Sequence, residues 1–282
     1  FVSNFRSAEL STTHQNQIAA YLDEQTTKID RLMALRRQQM DLLKEQRAAM
    51  IQQAVTRGLN PAVPMKDSGV PWLGEIPAHW TKITLGRLAT LLQTGPFGSQ
   101  LHAHEYIEGG IPIINPSHMV EGFIQHDPKC SVKEETAKRL DRHFLEYGDI
   151  VFARRGEIGR CALVRADETG WLCGTGSLLM RPDTKILEPA FLIALFQLKH
   201  LKESLTLQSV GSTMDNLNTG IISRIGLGLP PLEEQQVILK FIQDQTSKTD
   251  DLILSYIRQL TLLAEYRAAL IHECVTGQRQ VQ

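Results

Sequence analysis

The chain has 282 residues, 42% hydrophobic and 22% charged, and its 30 Lys and Arg against 31 Asp and Glu leave a net charge of −1 at pH 7. That length can bury a substantial core in one or two domains, and the composition is ordinary for a soluble globular protein. No apolar run approaches the roughly 18–20 residues of a membrane span and the N-terminus has no signal-peptide pattern, so no membrane partner is expected. Phe1 in place of Met points to a fragment or a processed chain. Cys130, Cys161, Cys173 and Cys274 form no Cys-x-x-Cys pair, which suits neither a disulfide framework nor a zinc site. Reduced thiols and a cytoplasmic location are expected.

After a short N-terminal segment, residues 1–13, a long helix is predicted over residues 14–58. It has no proline from 14 to 56, it is rich in good helix formers, and its seam alternates steps of three and four. That seam runs Ile18, Leu22, Gln25, Ile29, Leu32, Arg36, Gln39, Leu43. The same helix is written again at 231–278. With an offset of 220, Gln15 falls on Gln235, Gln25-Thr26 on Gln245-Thr246, Asp30 on Asp250 and Arg47-Ala48-Ala49 on Arg267-Ala268-Ala269. About 17 of some 42 positions are identical, which makes this an internal repeat.

Gln25, Gln39, Gln245 and Gln259 interrupt the seam at equivalent places. A polar seam residue fixes register at a cost in stability, so these four are the candidate register residues. A helix of about 42 residues is about 60 Å long and needs a partner of its own length. The two repeats are therefore expected to bring the ends of the intervening segment together and hold it at one end of a rod. Glycines at 58 and 277 supply left-handed C-terminal caps, and Pro230-Pro231 with Glu233-Glu234 marks the second helix's start.

Residues 59–76 are rich in proline and glycine and are predicted as an extended linker, packed down by Trp72 with Trp80 just beyond it. The insert, 77–230, shifts to short β-type runs such as IPII (111–114), DIVFA (149–153) and CALVRA (161–166), separated by turn signals. Residues 189–205 are predicted as one helix. The class is α+β, with strands in the majority of the insert.

Three loops in the insert could meet a ligand. Gly95-Pro96-Phe97-Gly98-Ser99 allows a close backbone approach. Arg154, Arg155 and Arg160 surround glycine turns after an apolar strand, and arginine is both a phosphate ligand and the best reader of guanine. Ser212, Asn216 and Asn218 lie in a polar loop after the helix; asparagine pairs bidentately with adenine but also forms turns. The histidines at 102, 104, 118, 126 and 143 have no metal-ligand spacing, and no metal is expected. There is no P-loop, no G-x-S-x-G and no nuclease carboxylate cluster, Gly174-Thr175-Gly176 is too short for a dinucleotide fingerprint, and Asn115-Pro116-Ser117 lacks the second proline and the aromatic of an adenine methyltransferase motif. A non-catalytic binding protein with no cofactor is favoured.

The stretches MKDSGVPWLGEIPAHW, GPFGS, GDIVFARRGEIG, GSTMDNLN and LPPLEEQQVI, in that order, resemble the DNA-specificity subunits of type I restriction–modification enzymes. The resemblance implies a target-recognition domain in the insert and two long coiled-coil helices packed antiparallel. It implies double-stranded DNA as ligand, with methylation and cleavage performed by methyltransferase and restriction subunits. Family members carry two recognition domains, whereas this chain carries one between two helices. It is therefore expected to be the C-terminal part of a longer subunit, or a half-subunit that pairs with a second copy. The insert is electrically balanced, about 16 basic against about 16 acidic residues, so non-specific phosphate affinity should be weak. The rival readings are a DNA adenine methyltransferase or nuclease in its own right, and a coiled-coil scaffold with a ligand other than DNA.

Overall fold

The structure, a computed structural model, describes residues 11–209 and 217–280. They form two compact units, residues 50–242 and the helical segments up to Ala49 and from Gln243 onward. Helix α1 (Thr12–Arg57) runs unbroken for 46 residues, and Gly58, at φ +74°, turns the chain out of it. Residues 59–76 are not an extended linker. They fold back as a ribbon, β1 (Met65–Asp67) against β2 (Glu75–Pro77). The cause is apolar burial: Val70 and Ile76 are buried, and Trp72 Nε1 donates to the Gly226 carbonyl.

The insert continues with β3 (Thr81–Thr84), β4 (Ala89–Thr94), β5 (Tyr106–Ile107), β6 (Ile111–Ile114), the hairpin of β7 (Met119–Val120) and β8 (Phe123–Ile124), and β9 (Ser131–Val132). After the short helix α2 (Glu134–Arg139) come β10 (Ile150–Ala153), β11 (Cys161–Leu163), β12 (Leu172–Cys173) and β13 (Ser177–Pro182). The single helix expected at 189–205 is two, α3 (Pro189–Phe196) and α4 (Lys199–Ser209). The break lets Phe191 and Phe196 from one and Leu201 and Leu205 from the other reach the same core. Helix α5 (Thr219–Ser223), β14 (Gly226–Leu229) and the long helix α6 (Leu232–Val275) complete the described chain.

The central sheet runs β11-β10-β13-β4, every neighbouring pair antiparallel. Strand β10 is buried at all four residues and separates two cores. Ile150 and Phe152 enter the one closed by α3 and α4; Val151 and Ala153 enter the other. In β13, Leu178 and Met180 oppose Leu179 in the same way. Such unbroken apolar runs are what burial on both faces demands. The second core lies between this sheet and a mixed sheet, β12-β6-β9-β5, in which β12 and β6 are parallel. Ile113 and Leu172 pack on its far side with Ala137 of α2. Helices, sheet, sheet and short helix make an α+β domain.

Within the helical unit, α1 and α6 are antiparallel. Asp30 pairs with Arg267 at 3.0 Å and Arg47 with Asp250 at 3.4 Å. The offset of 220 converts one pair into the other, so the sequence repeat becomes a local two-fold relation between the helices. Arg36 lies 4.9 Å from the ring centroid of Tyr256, its own equivalent in the other copy. Ile29, Leu270 and Cys274 form the buried centre. The four glutamines do not join the helices: Gln39 accepts from Arg36 and Gln259 donates to Ser255, each within its own helix. Gln25 and Gln245 are half-buried, and among the described residues none of the four bonds across. Contacts that cross between the helices include the two Asp–Arg pairs, the Arg36–Tyr256 stacking and the apolar centre. Such half-exposed pairs add little energy, but a slip of one heptad would leave four charges unmatched.

One buried ion pair fixes the entry to β10. Asp149 is 1% exposed, takes the Arg181 fork at 2.9 Å on each oxygen, and accepts the Glu146 amide at 2.8 Å. Asp149→Asn leaves the half-buried guanidinium with only the exposed Glu146 carboxylate, 2.6 Å from its Nη1, as counter-charge, and should cost about 2–3 kcal/mol. Urea unfolding checks this, as a lower midpoint with an unchanged m-value.

Candidate nucleic-acid interface

Several loops at one end of the central sheet are bonded to one another through their backbones. The Gly95 amide donates to the Ser177 carbonyl at 2.9 Å, and a Cβ on Gly95 would stand 1.9 Å from the Gly174 carbonyl oxygen. Gly174 donates to Ile114 O at 2.9 Å, and its own Cβ would meet Asn115 Oδ1 at 2.2 Å. The Gly176 carbonyl accepts the Arg154 amide at 2.9 Å, and the Arg154 carbonyl accepts the Leu217 amide at 2.9 Å. Four loops, carrying Gly95, Asn115, Arg154 and Gly174, are thus linked, and the Arg154 loop is bonded to the segment leading into α5.

The predicted residues divide by environment. Gly95 is buried, and the close approach that requires glycine there is made by the chain itself. Phe97 is 60% exposed, and Gly98 and Ser99 beside it are exposed. Gln100 folds back to accept the Phe97 amide at 3.1 Å, which steadies the turn, and Gly98 takes φ +60°. Arg154 is half-buried and its Nε donates to the Leu217 carbonyl at 3.3 Å; burial and the adjacent Arg155 charge lower its pKa. Arg160 donates to the Pro116 carbonyl at 3.2 Å and to Glu157 at 3.1 Å. Arg155 is exposed, and among the described residues nothing hydrogen-bonds or pairs with it. Asn218 caps α5, its Oδ1 accepting the Ile221 amide at 2.9 Å. Ser212 and Asn216 lie outside the described residues.

Sequence reasoning missed Thr175, exposed at the tip of the Gly174–Gly176 turn, and Glu157 and Lys202, joined at 3.0 Å. The turn was legible only as a poor dinucleotide motif; its packing against Gly95 and Asn115 gives no local signal. His102 and His104 stack with ring centroids 5.5 Å apart on an exposed turn. Among the described residues no three His, Cys, Asp or Glu side chains are grouped to hold a metal. Cys161 is fully buried, which pushes its thiol up to about 12, so it is no nucleophile.

His118 and His143 are buried at 5% and 2% exposure. Burial, then the neighbouring His126, lowers the pKa of His118, whose Nδ1 accepts the Asn115 amide. Burial, then Arg142, lowers that of His143, whose ring nitrogens have no hydrogen-bond partner among the described residues. Both are therefore harder to protonate in the fold than in the unfolded chain.

Known proteins place this architecture. The model of the type I restriction modification DNA specificity domain matches residues 77–261. The chain is 25% identical over 210 residues to the putative type I restriction enzyme MjaX specificity subunit of Methanocaldococcus jannaschii, covering 72% of this chain and 47% of that one. It is 23% identical over 273 residues to the type I restriction enzyme MjaVIII specificity subunit of the same organism, covering 95% and 60%. Its fold is similar to a chain from a structure on complex assembly and conformational transition of the type I R-M system, with TM-score 0.70, 18% identity, and coverage of 96% of this chain and 61% of that one. The HsdS subunit from Thermoanaerobacter tengcongensis follows at TM-score 0.57, 17% identity, and coverage of 95% and 59%. The chain thus spans about half to three fifths of the length of these relatives.

Two measurements separate the roles of the buried and exposed groups. Arg154→Ala strips the Leu217 carbonyl of a donor and should cost about 1–2 kcal/mol in denaturant unfolding, while Arg155→Ala should stay within about 0.5 kcal/mol. Because the two buried histidines titrate lower in the fold than when unfolded, the unfolded chain binds more protons below about pH 6.5. Unfolding free energy should therefore fall as pH drops from 7 toward 5, and His143→Leu should flatten that slope; an unchanged slope contradicts the role of His143.

Proposed function

The chain belongs to the family of the type I restriction modification DNA specificity domain, and on that premise we propose that it is a DNA-recognition subunit reading one half of a bipartite site. Adenine methylation and cleavage are then performed by methyltransferase and restriction subunits, with no chemistry on this chain. The observation that carries the reading is the loop cluster. Phe97, Ser99, Arg155 and Thr175 stand exposed on loops whose backbones are bonded to one another. Arginine reads guanine through two hydrogen bonds, the hydroxyls reach phosphate or base edges, and phenylalanine meets a thymine methyl group or wedges a base step. Rigid loops hold these groups at fixed separations, which specificity requires.

The charge balance of the insert supports a division of labour. A domain with no net positive charge gains little from counterion release, so affinity rests on fit and on other chains that grip the duplex. The helical unit offers those chains a surface. Leu32 and Leu42 are 40% and 57% exposed, and their repeat equivalents Leu252 and Leu262 are 40% and 63% exposed. Leu32, Leu35, Gln39 and Leu42 follow the three-four spacing of a second coiled-coil stripe, as do Leu252, Ser255, Gln259 and Leu262. Helices of methyltransferase subunits would fill two equivalent stripes. The other half-site is read by a second recognition domain, from a longer subunit or from a second copy.

In a complex with the methyltransferase subunit, Arg155→Ala should relax one position of the target by about 1–3 kcal/mol, seen by selecting bound sequences from a random pool. An unaltered base preference at every position would remove Arg155 from the reading surface.

A further inference from the structure

The loop after β10 is held against α4. Ile158 is buried in the core with Leu201 and Leu205, and a Cβ on Gly159 would meet Leu205 at 3.1 Å and Lys202 at 3.4 Å. Gly156 and Gly159 both take left-handed angles, φ +78° and +83°, which aim the segment between them at α4. Glu157 is the electrical centre of the clamp: Oε1 accepts Lys202 Nζ at 3.0 Å and Oε2 accepts Arg160 Nη2 at 3.1 Å. Hollows of about 460 and 640 Å³ flank it, and Glu157 and Lys202 line both. Lys202 hydrogen bonding, chiefly, holds the Glu157 carboxyl below its ordinary value, so it is ionised at neutral pH.

We propose that Glu157 is a positioning residue that withholds Arg160 and Lys202 from the DNA backbone, leaving Arg155 as the one cation this loop presents. This rests on the DNA-reading function above. A phosphate nearing either cation meets the Glu157 carboxylate within about 3 Å of it, and that one negative charge, shared between two cations, lowers the local positive potential whether or not the pairs stay closed. Sequence-independent attraction is thereby suppressed, and discrimination is left to shape and to Arg155. Glu157 sits on the loop as a partial counterweight to its three arginines.

The test uses the full chain and a fluorescent duplex of random sequence, with affinity measured across a salt series. Glu157→Gln should bind at least about threefold more tightly and steepen the logarithmic salt dependence by about one to two, since each freed cation contributes about 0.9. Lys202→Ala alone should leave the slope unchanged, whereas in the Glu157→Gln background it should take back about one. Thermal melting of each form checks that it is folded, and the Lys202→Ala measurement stands by itself if Glu157→Gln is not. A slope that becomes shallower by about one in Lys202→Ala alone would show that this lysine already touches phosphate and would overturn the proposal. So would equal slopes in all four forms. No binding at low salt by either the unaltered chain or Glu157→Gln would overturn the proposal, whereas the DNA reading stands or falls on the sequence selection with the methyltransferase subunit, which distinguishes the two failures.

Discussion

Hydrogen in place of a side chain at two facing positions sets the geometry of the whole loop cluster. Gly95 and Gly174 approach so closely that a Cβ on the first would overlap the carbonyl oxygen of the second, and a Cβ on the second would overlap Asn115. From that contact the backbone bonds run outward, Gly174 to Ile114, Arg154 to Gly176, Leu217 to Arg154. Each strand end is thereby held to its neighbour by groups that carry no sequence information for a ligand. What remains exposed is a small set of side chains whose identities can change without disturbing the frame.

The same separation holds for charge. Asp149 and Arg181 meet in near burial and stabilise β10. Glu157, Arg160 and Lys202 meet near the surface and set a potential. Arg155 meets neither and stays exposed. Three arginines within one heptad-length of sequence thus have three fates: one bonded to a carbonyl, one shared between a carbonyl and a carboxylate, and one exposed.

Some of this was legible in the sequence. The two long helices follow from their period and from their likeness to each other, and the strands at 150–153 and 161–163 from apolar runs that only a sheet buried on both faces uses. The alignment of the helices was legible too, though not where it was sought. Polar interruptions drew attention to the glutamines, but the residues that meet across the helices are Asp30 with Arg267 and Arg47 with Asp250, all four of them identical in both copies. The folded-back ribbon at 65–77 was hidden by proline and glycine, which mark turns without saying whether an apolar residue between them is buried. The break at 197–198 was hidden because a helix and a bent pair of helices share one period. Residue types made three arginines candidates; which guanidinium finds a carbonyl depends on Leu217 and Pro116, 63 and 44 residues away.

The central claim is that this chain chooses a DNA sequence for a methyltransferase that does not choose it alone. Modified-base sequencing of cells carrying the chain together with a methyltransferase subunit tests it directly. The account predicts methyladenine in a new bipartite motif, one half of which changes when Arg155 is replaced. No new methylated motif, from a methyltransferase that is active with another specificity subunit, would contradict it.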